Sequence, residues 1–139
     1  MRRLSAFLAD RRGVAALEFA LAAPILAAVL VLGADGWLRA RQVLDMRTAL
    51  QTAARYYQSG GSEDEVARTA ALSAWPGRPA DGVVTAVRAC RCPAAPSACD
   101  AACPDGAPPS AFVTLTAASR YRGLLGEAPI AEREVIRVR

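Results

Sequence analysis

The chain contains no histidine, no lysine and no asparagine in 139 residues. Each absence removes a class of chemistry. Without histidine there is no in-chain Cys–His or Ser–His catalytic pair. Zinc sites that need an imidazole ligand go with it. Without lysine there is neither a phosphate-cradling P-loop nor Schiff-base catalysis. All 17 basic residues are arginine, which reads as the mark of a GC-rich coding sequence rather than of a function. What remains for catalysis is scattered carboxylates, so no enzyme and no cofactor is expected.

What the chain has in quantity is apolar residues, 53% of the total against 22% charged. The length allows one ordinary domain. The net charge of +4 is unevenly placed. Residues 1–13 carry +3, Glu18 carries −1, and residues 35–139 carry only +2 from 13 arginines and 11 acids. The larger part therefore has no basic stripe, and nucleic-acid binding is not expected.

Residues 14–34, VAALEFALAAPILAAVLVLGA, form an apolar run interrupted by a single charge, Glu18. As a helix this run spans about 31 Å, enough for a bilayer core. Arg2, Arg3, Arg11 and Arg12 precede it, which predicts a cytoplasmic N-terminus and translocation of residues 35–139. A cleaved signal peptide and a buried helix of a soluble protein are the alternatives. The run is longer than an ordinary signal core, contains a carboxylate, and has no clean small-x-small site before Asp35. Membrane lipid is thus an expected partner. Glu18 stands out because an intramembrane carboxylate is costly and asks for a cation. No basic side chain lies at similar depth. Cleavage after Gly13 would create one, the α-amino group of Val14, four residues before Glu18. Pro24 predicts a local bend.

The segment Arg11-Arg12-Gly13-Val14-Ala15-Ala16-Leu17-Glu18-Phe19 resembles the processing site of type IV pilin-like proteins: a basic leader ending in glycine, four apolar residues, a glutamate at position five, then an aromatic. With the continuation Ala20-Leu21-Ala22-Ala23-Pro24-Ile25-Leu26 it resembles the TadE-like pseudopilins of the tight-adherence (Flp-type) pilus system. A TadF- or TadG-type relative is a neighbouring possibility, though the chain is short for TadG. The resemblance covers roughly residues 11–57. It implies cleavage after Gly13 by a prepilin peptidase and a minor pseudopilin role at the inner membrane. The implied partners are that peptidase, other pilins and pseudopilins, and the inner-membrane assembly platform. The competing function is an uncut, single-pass, membrane-anchored periplasmic binding module.

Beyond the span the pattern predicts α+β structure, pilin-like by the resemblance. Val43, Met46, Leu50, Ala53 and Tyr57 step by three and four, one apolar face of a continuing amphipathic helix. Arg41 and Arg55 lie opposite, and Arg47 flanks the stripe. Ser59-Gly60-Gly61 should end this helix. Ser62-Glu63-Asp64-Glu65 reads as a capping box opening a second short helix, with Val66, Ala70 and Ala74 as its apolar stripe. Pro76-Gly77 should end it. Three antiparallel strands are expected at 83–89, 111–118 and 130–138, with residues 119–129 as the loop joining the last two. The resulting organisation is a leader at 1–13, a span at 14–34 and an extracytoplasmic α+β domain at 35–139.

Four cysteines cluster in the loop at 90–103: Cys90, Cys92, Cys99 and Cys103. In an oxidising compartment such a cluster reads as disulfides. Cys90 and Cys92 share a strand face, which disfavours a bond between them. The nested pairing Cys92–Cys99 with Cys90–Cys103 is the preferred expectation. A four-thiolate zinc site lacks the usual pair of C-x2-C knuckles. Free or intermolecular thiols are the third possibility.

Overall fold

A computed structural model of the chain describes residues 14–93 and 95–138. The described elements are α1 (Val14–Gln58), α2 (Asp64–Ser73), β1 (Val83–Arg91), β2 (Pro96–Ser97), β3 (Ser110–Gly123) and β4 (Gly126–Val138). The chain divides into two compact units, one ending at Trp37 and one starting at Leu38. The boundary falls inside α1, three residues beyond the end of the apolar run.

In the first unit, α1 is a continuous helix that contains Pro24. Its apolar stretch has the length and hydropathy to cross a membrane, and none of it is buried within the protein. Leu17, Phe19, Leu21, Ile25 and Leu30 are each about two-thirds or more exposed. Side chains of this kind are covered in water-soluble cores. Here they line a helix with the length and hydropathy of a membrane anchor.

The second unit is built on the C-terminal part of α1. Met46, Ala49, Leu50, Ala53, Ala54 and Tyr57 are buried, which confirms the predicted stripe from Met46 on and widens it with small alanines, while Val43 is only half-buried. α1 stops as expected. Gly61 N–H donates to Tyr56 C=O at 3.0 Å and Gly60 N–H to Tyr57 C=O at 3.1 Å, the paired bonds of a Schellman motif. Gly60 has φ +95°, where a Cβ is strained. A Cβ on Gly61 would collide with the Tyr56 ring.

α2 begins later than the capping box predicts. Its N-cap is Glu63, which makes no side-chain cap bond. Ser62 and Asp64 are instead engaged by Arg88 of β1, so a tertiary contact displaces the local cap. The buried face is also different. Ala67 and Ala71 are inside, followed by Trp75, while Val66 is 49% exposed. α2 packs against β1, and small alanines let the two backbones approach closely.

The sheet is antiparallel with order β2-β1-β3-β4. It has four strands rather than three, because Pro96–Ser97 pairs with the end of β1, Cys90↔Ser97 and Arg91↔Pro96. Residues 119–129 are not a loop. β3 and β4 continue pairing through Ser119↔Ile130 and Tyr121↔Ala128 to Gly123↔Gly126. Only Leu124-Leu125 forms the turn, with Gly126 at φ +134°. The alternation Val113, Leu115, Ala117, Ser119, Tyr121 is buried at every step, so the strand period runs on past the residues that looked like turn formers. Pro129 is accommodated because β4 is an edge strand. Just before β1 begins, Asp81 accepts the Arg120 N–H at 2.8 Å and covers the unpaired ladder position. The core is formed by the α1 and α2 faces with the inner sheet residues Val84, Val113, Leu115, Ala117, Tyr121, Ile130, Ile136 and Val138.

Candidate functional site

The predicted processing site falls at the start of α1. Val14, Glu18 and Phe19 lie on its first two turns, all exposed, with Phe19 at 69%. An i,i+4 step puts Val14 and Glu18 on one helix face. Gly13, Arg11 and Arg12 lie outside the described residues. The described part of this unit thus carries two carboxylates, Glu18 inside the apolar run and Asp35 just past its end.

The cysteine loop forms two disulfides, Cys90–Cys99 and Cys92–Cys103, with Cα–Cα distances of 5.0 and 5.6 Å. The pairing is crossed, not nested as expected. Two turns impose it. The β1–β2 turn, with Cys92 N–H donating to Ala95 C=O, carries Cys92 away from Cys99 and sets Ser97 opposite Cys90. Cys99, two residues on, folds back to Cys90. A second turn, with Gly106 N–H on Cys103 C=O and Ala107 N–H on the Asp105 carboxylate, leads into β3 beside the end of β1. That turn brings Cys103 to Cys92. Cys90 and Cys92 are both buried, Cys92 one residue past the end of β1. All four sulfurs are consumed, so none is left as a zinc-binding thiolate or free thiol. No group of three or more metal-ligating side chains occurs among the described residues.

Crossed and nested pairings can be told apart by digestion. Unreduced protein cut after arginine and before aspartate is expected to yield residues 89–91, 92–99 and 100–104 joined in one product. Nested bonds would join 89–91 to 100–104 alone. Replacing Cys92 and Cys103 by serine should cost about 2–4 kcal/mol in the loop-entropy picture, read from thermal unfolding under non-reducing conditions.

Beside the second disulfide lies a cleft of about 360 Å³, lined by Cys92, Pro93, Pro96, Ala102, Pro104 and Asp105 among others. Its size is at the low end for small-molecule sites. Its one titratable side chain, Asp105, is an acceptor without a neighbouring base or nucleophile in the lining.

One cluster escaped the sequence. Arg88 Nη2 donates to Asp64 Oδ1 at 2.9 Å and to Ser62 C=O at 2.7 Å. Tyr57 Oη donates to the same Asp64 oxygen at 2.7 Å. Three elements, α1, α2 and β1, are tied at one point. The separations are 7 and 24 residues, so no local motif could announce it. Burial acts to raise the Asp64 carboxyl. The Arg88 and Tyr57 hydrogen bonds and the guanidinium charge outweigh it, and the carboxyl lies below its ordinary value of 3.8. Burial, then the Asp64 bond, pushes the Tyr57 hydroxyl above its ordinary 10.0. The sign follows by linkage. Asp64 contributes stability above the ordinary carboxylate range and loses it as pH falls through its depressed folded value. Tyr57 contributes fully below pH 10 and loses it as pH rises further. Asp64 and Arg88 side chains are 42% and 33% exposed, so the pair is worth about 1 kcal/mol or less. In Arg88→Gln the acid-unfolding midpoint should move to higher pH, while the Tm difference from the parent should shrink below pH 3.8.

Comparison with protein-family models, with curated proteins and with solved structures gives no significant match to this chain.

Proposed function

We propose that the chain is a minor pseudopilin of TadE-like type, cut after Gly13 by a prepilin peptidase and acting in assembly of a Tad/Flp-type pilus. The observation that carries this reading is Glu18. It is the single charge in a 21-residue apolar run, on an exposed helix of spanning length, one helical turn from the residue that cleavage would make the new N-terminus. In a plain anchor this carboxylate is a cost with no return. In a processed subunit it can pair with a Val14 amine, its own or a neighbour's, and so set register during assembly. Arg11 and Arg12 would hold the leader at the cytoplasmic face. The alanine-rich helix would allow close lateral packing.

Two further features support this topology. Two disulfides suit an oxidising compartment, in keeping with the second unit lying outside the cytoplasmic membrane. An α1 whose distal half packs on an antiparallel sheet agrees with a pilin-like design. The cleft beside Cys92 and Asp105 favours the competing reading, an uncut anchored binding module. Intact mass and N-terminal sequencing of the protein from its host's membranes separate them. A chain starting at Val14 is the expected result. A start at Met1 would favour the uncut module, and a start beyond residue 34 would make the apolar run a signal peptide.

A further inference from the structure

β3 sends Val113, Leu115 and Ala117 into the core, so Ser110 and Phe112 fall on the opposite face of the sheet. The register sets Arg91 of β1 beside Ser110, and Arg137 of β4 beside Phe112. Directly paired residues lie about 5 Å apart at Cα. Arg137 Nη2 donates to Ser110 Oγ at 2.9 Å, so its guanidinium leans across β3 toward the row of Arg91. Two arginines from the flanking strands thus converge over one hydroxyl on the strand between them.

These residues line an open cleft of about 460 Å³, a volume in the range of ligand sites. Half-buried Phe112 also lines it, and Pro93 and Pro108 add apolar wall. The Cys92–Cys103 disulfide ties the segment after β1 to the segment before β3. The walls are therefore held in place before a ligand arrives, which lowers the entropic cost of binding.

The charge of the cleft is basic once its acids are counted. Asp105 is the one acid in the lining, and its Oδ1 accepts the Ala107 N–H at 3.1 Å. Asp100, in the disulfide loop, is not part of the lining. Glu132 and Glu134 alternate onto the other face of β4. Arg139 lies outside the described residues. Among the described residues neither Arg91 nor Arg137 is in an ion pair. Two forked donors beside a hydroxyl match a carboxylate, whose two oxygens take paired N–H bonds. Phe112 and the prolines match an apolar side chain next to it. Asp105 on the rim disfavours a doubly charged phosphate. A nucleic-acid backbone needs a longer basic track than two arginines. A recessed ring offers no apolar projection to a lipid surface.

We infer that the cleft over Ser110 binds a carboxylate-bearing peptide segment of a partner protein, with Arg91 and Arg137 holding the carboxylate and Phe112 the adjoining apolar side chain. The site lies wholly within the second unit. It depends neither on cleavage after Gly13 nor on the membrane span.

The test uses the full chain in detergent micelles, isotope-labelled at arginine Nε and followed by NMR. One probe is acetyl-Leu-Phe with a free terminal carboxylate. The other, acetyl-Leu-Asp-Leu amide, carries its carboxylate on a side chain. Acetyl-Leu-Phe amide and inorganic phosphate are the comparisons. At least one carboxylate probe should shift the Arg91 and Arg137 signals saturably at millimolar concentration or below, and which one does so tells a chain end from an internal acid. Arg91→Gln and Arg137→Gln should each weaken that binding about tenfold or more. Phe112→Ala should weaken it as well. Arg133→Gln, on the same face of β4 but outside the lining, should leave it unchanged. Emission of buried Trp75 and intact disulfides report a preserved fold in each variant. Equal shifts from acid and amide would overturn the inference, as would no saturable shift from either carboxylate probe. Phosphate binding as tightly as the better peptide would make this a general anion site and overturn it too.

Discussion

Replacing Gly13 with phenylalanine is expected to abolish maturation, leaving the membrane fraction with only the full-length chain. The expectation follows from the proposed function. A peptidase must bring its catalytic groups against the scissile backbone, and glycine alone presents no side chain there. Intact mass of the membrane-extracted protein reads the result directly, and normal processing of this variant would sink the pseudopilin reading. The companion variant separates cutting from use. Glu18→Ala removes a carboxylate that costs up to about 3 kcal/mol at the bilayer centre and less near the interface. The span should therefore insert at least as well, and cleavage should proceed. Assembly should fail, because the Val14 amine loses its counter-charge. Opposite signs for anchoring and assembly from one substitution are hard to obtain from simple misfolding. A mature Glu18→Ala chain that still enters filaments would remove this residue from the mechanism.

Leu50→Ala is expected to be the most damaging single change in the second unit. Leu50 is 1% exposed and belongs to a core shared by α1, α2 and the sheet. Truncation of such a leucine costs about 2–5 kcal/mol, the transfer loss plus the cavity left behind. A domain of this size holds only about 5–15 kcal/mol in total. The expected fall in Tm is roughly 10–25 °C, measured by thermal unfolding of the detergent-solubilised chain. Leu44→Ala, earlier on the same helix, is the control. Leu44 is 56% exposed, and its loss should fall within about 0.5 kcal/mol. Equal effects at the two positions would contradict the placement of the core on the Met46–Leu50–Tyr57 face.

Much of the candidate site is legible in the order of the residues. Arg11, Arg12, Gly13, Glu18 and Phe19 form a linear motif whose meaning lies in spacing along the chain. The fold adds that Val14, Glu18 and Phe19 sit on an exposed helix. Gly13 and the leader lie outside the described residues. The cysteine loop is legible as a disulfide cluster but not as a wiring diagram. Its crossed bonds depend on where two turns place Cys92 and Cys103, and four cysteines in 14 residues permit three pairings.

What the sequence alone determined is what depends on near neighbours: the apolar run, the amphipathic stripe ending at Tyr57, the Gly60-Gly61 stop and the period-two strands. Each is a repeat or a cap spanning a few residues, and the physics that selects it is local. The tertiary structure alone decided four things. The expected capping box at Ser62 gave way to an N-cap at Glu63, with Arg88 holding Ser62 and Asp64. Ala67 and Ala71, not Val66, turned inward. Residues 119–129 became paired strand around a Leu124-Leu125 turn, and the disulfides crossed. Each of these is set by a partner brought near by the fold of the whole second unit, and a contact of that kind has no signature in the residues on either side of it.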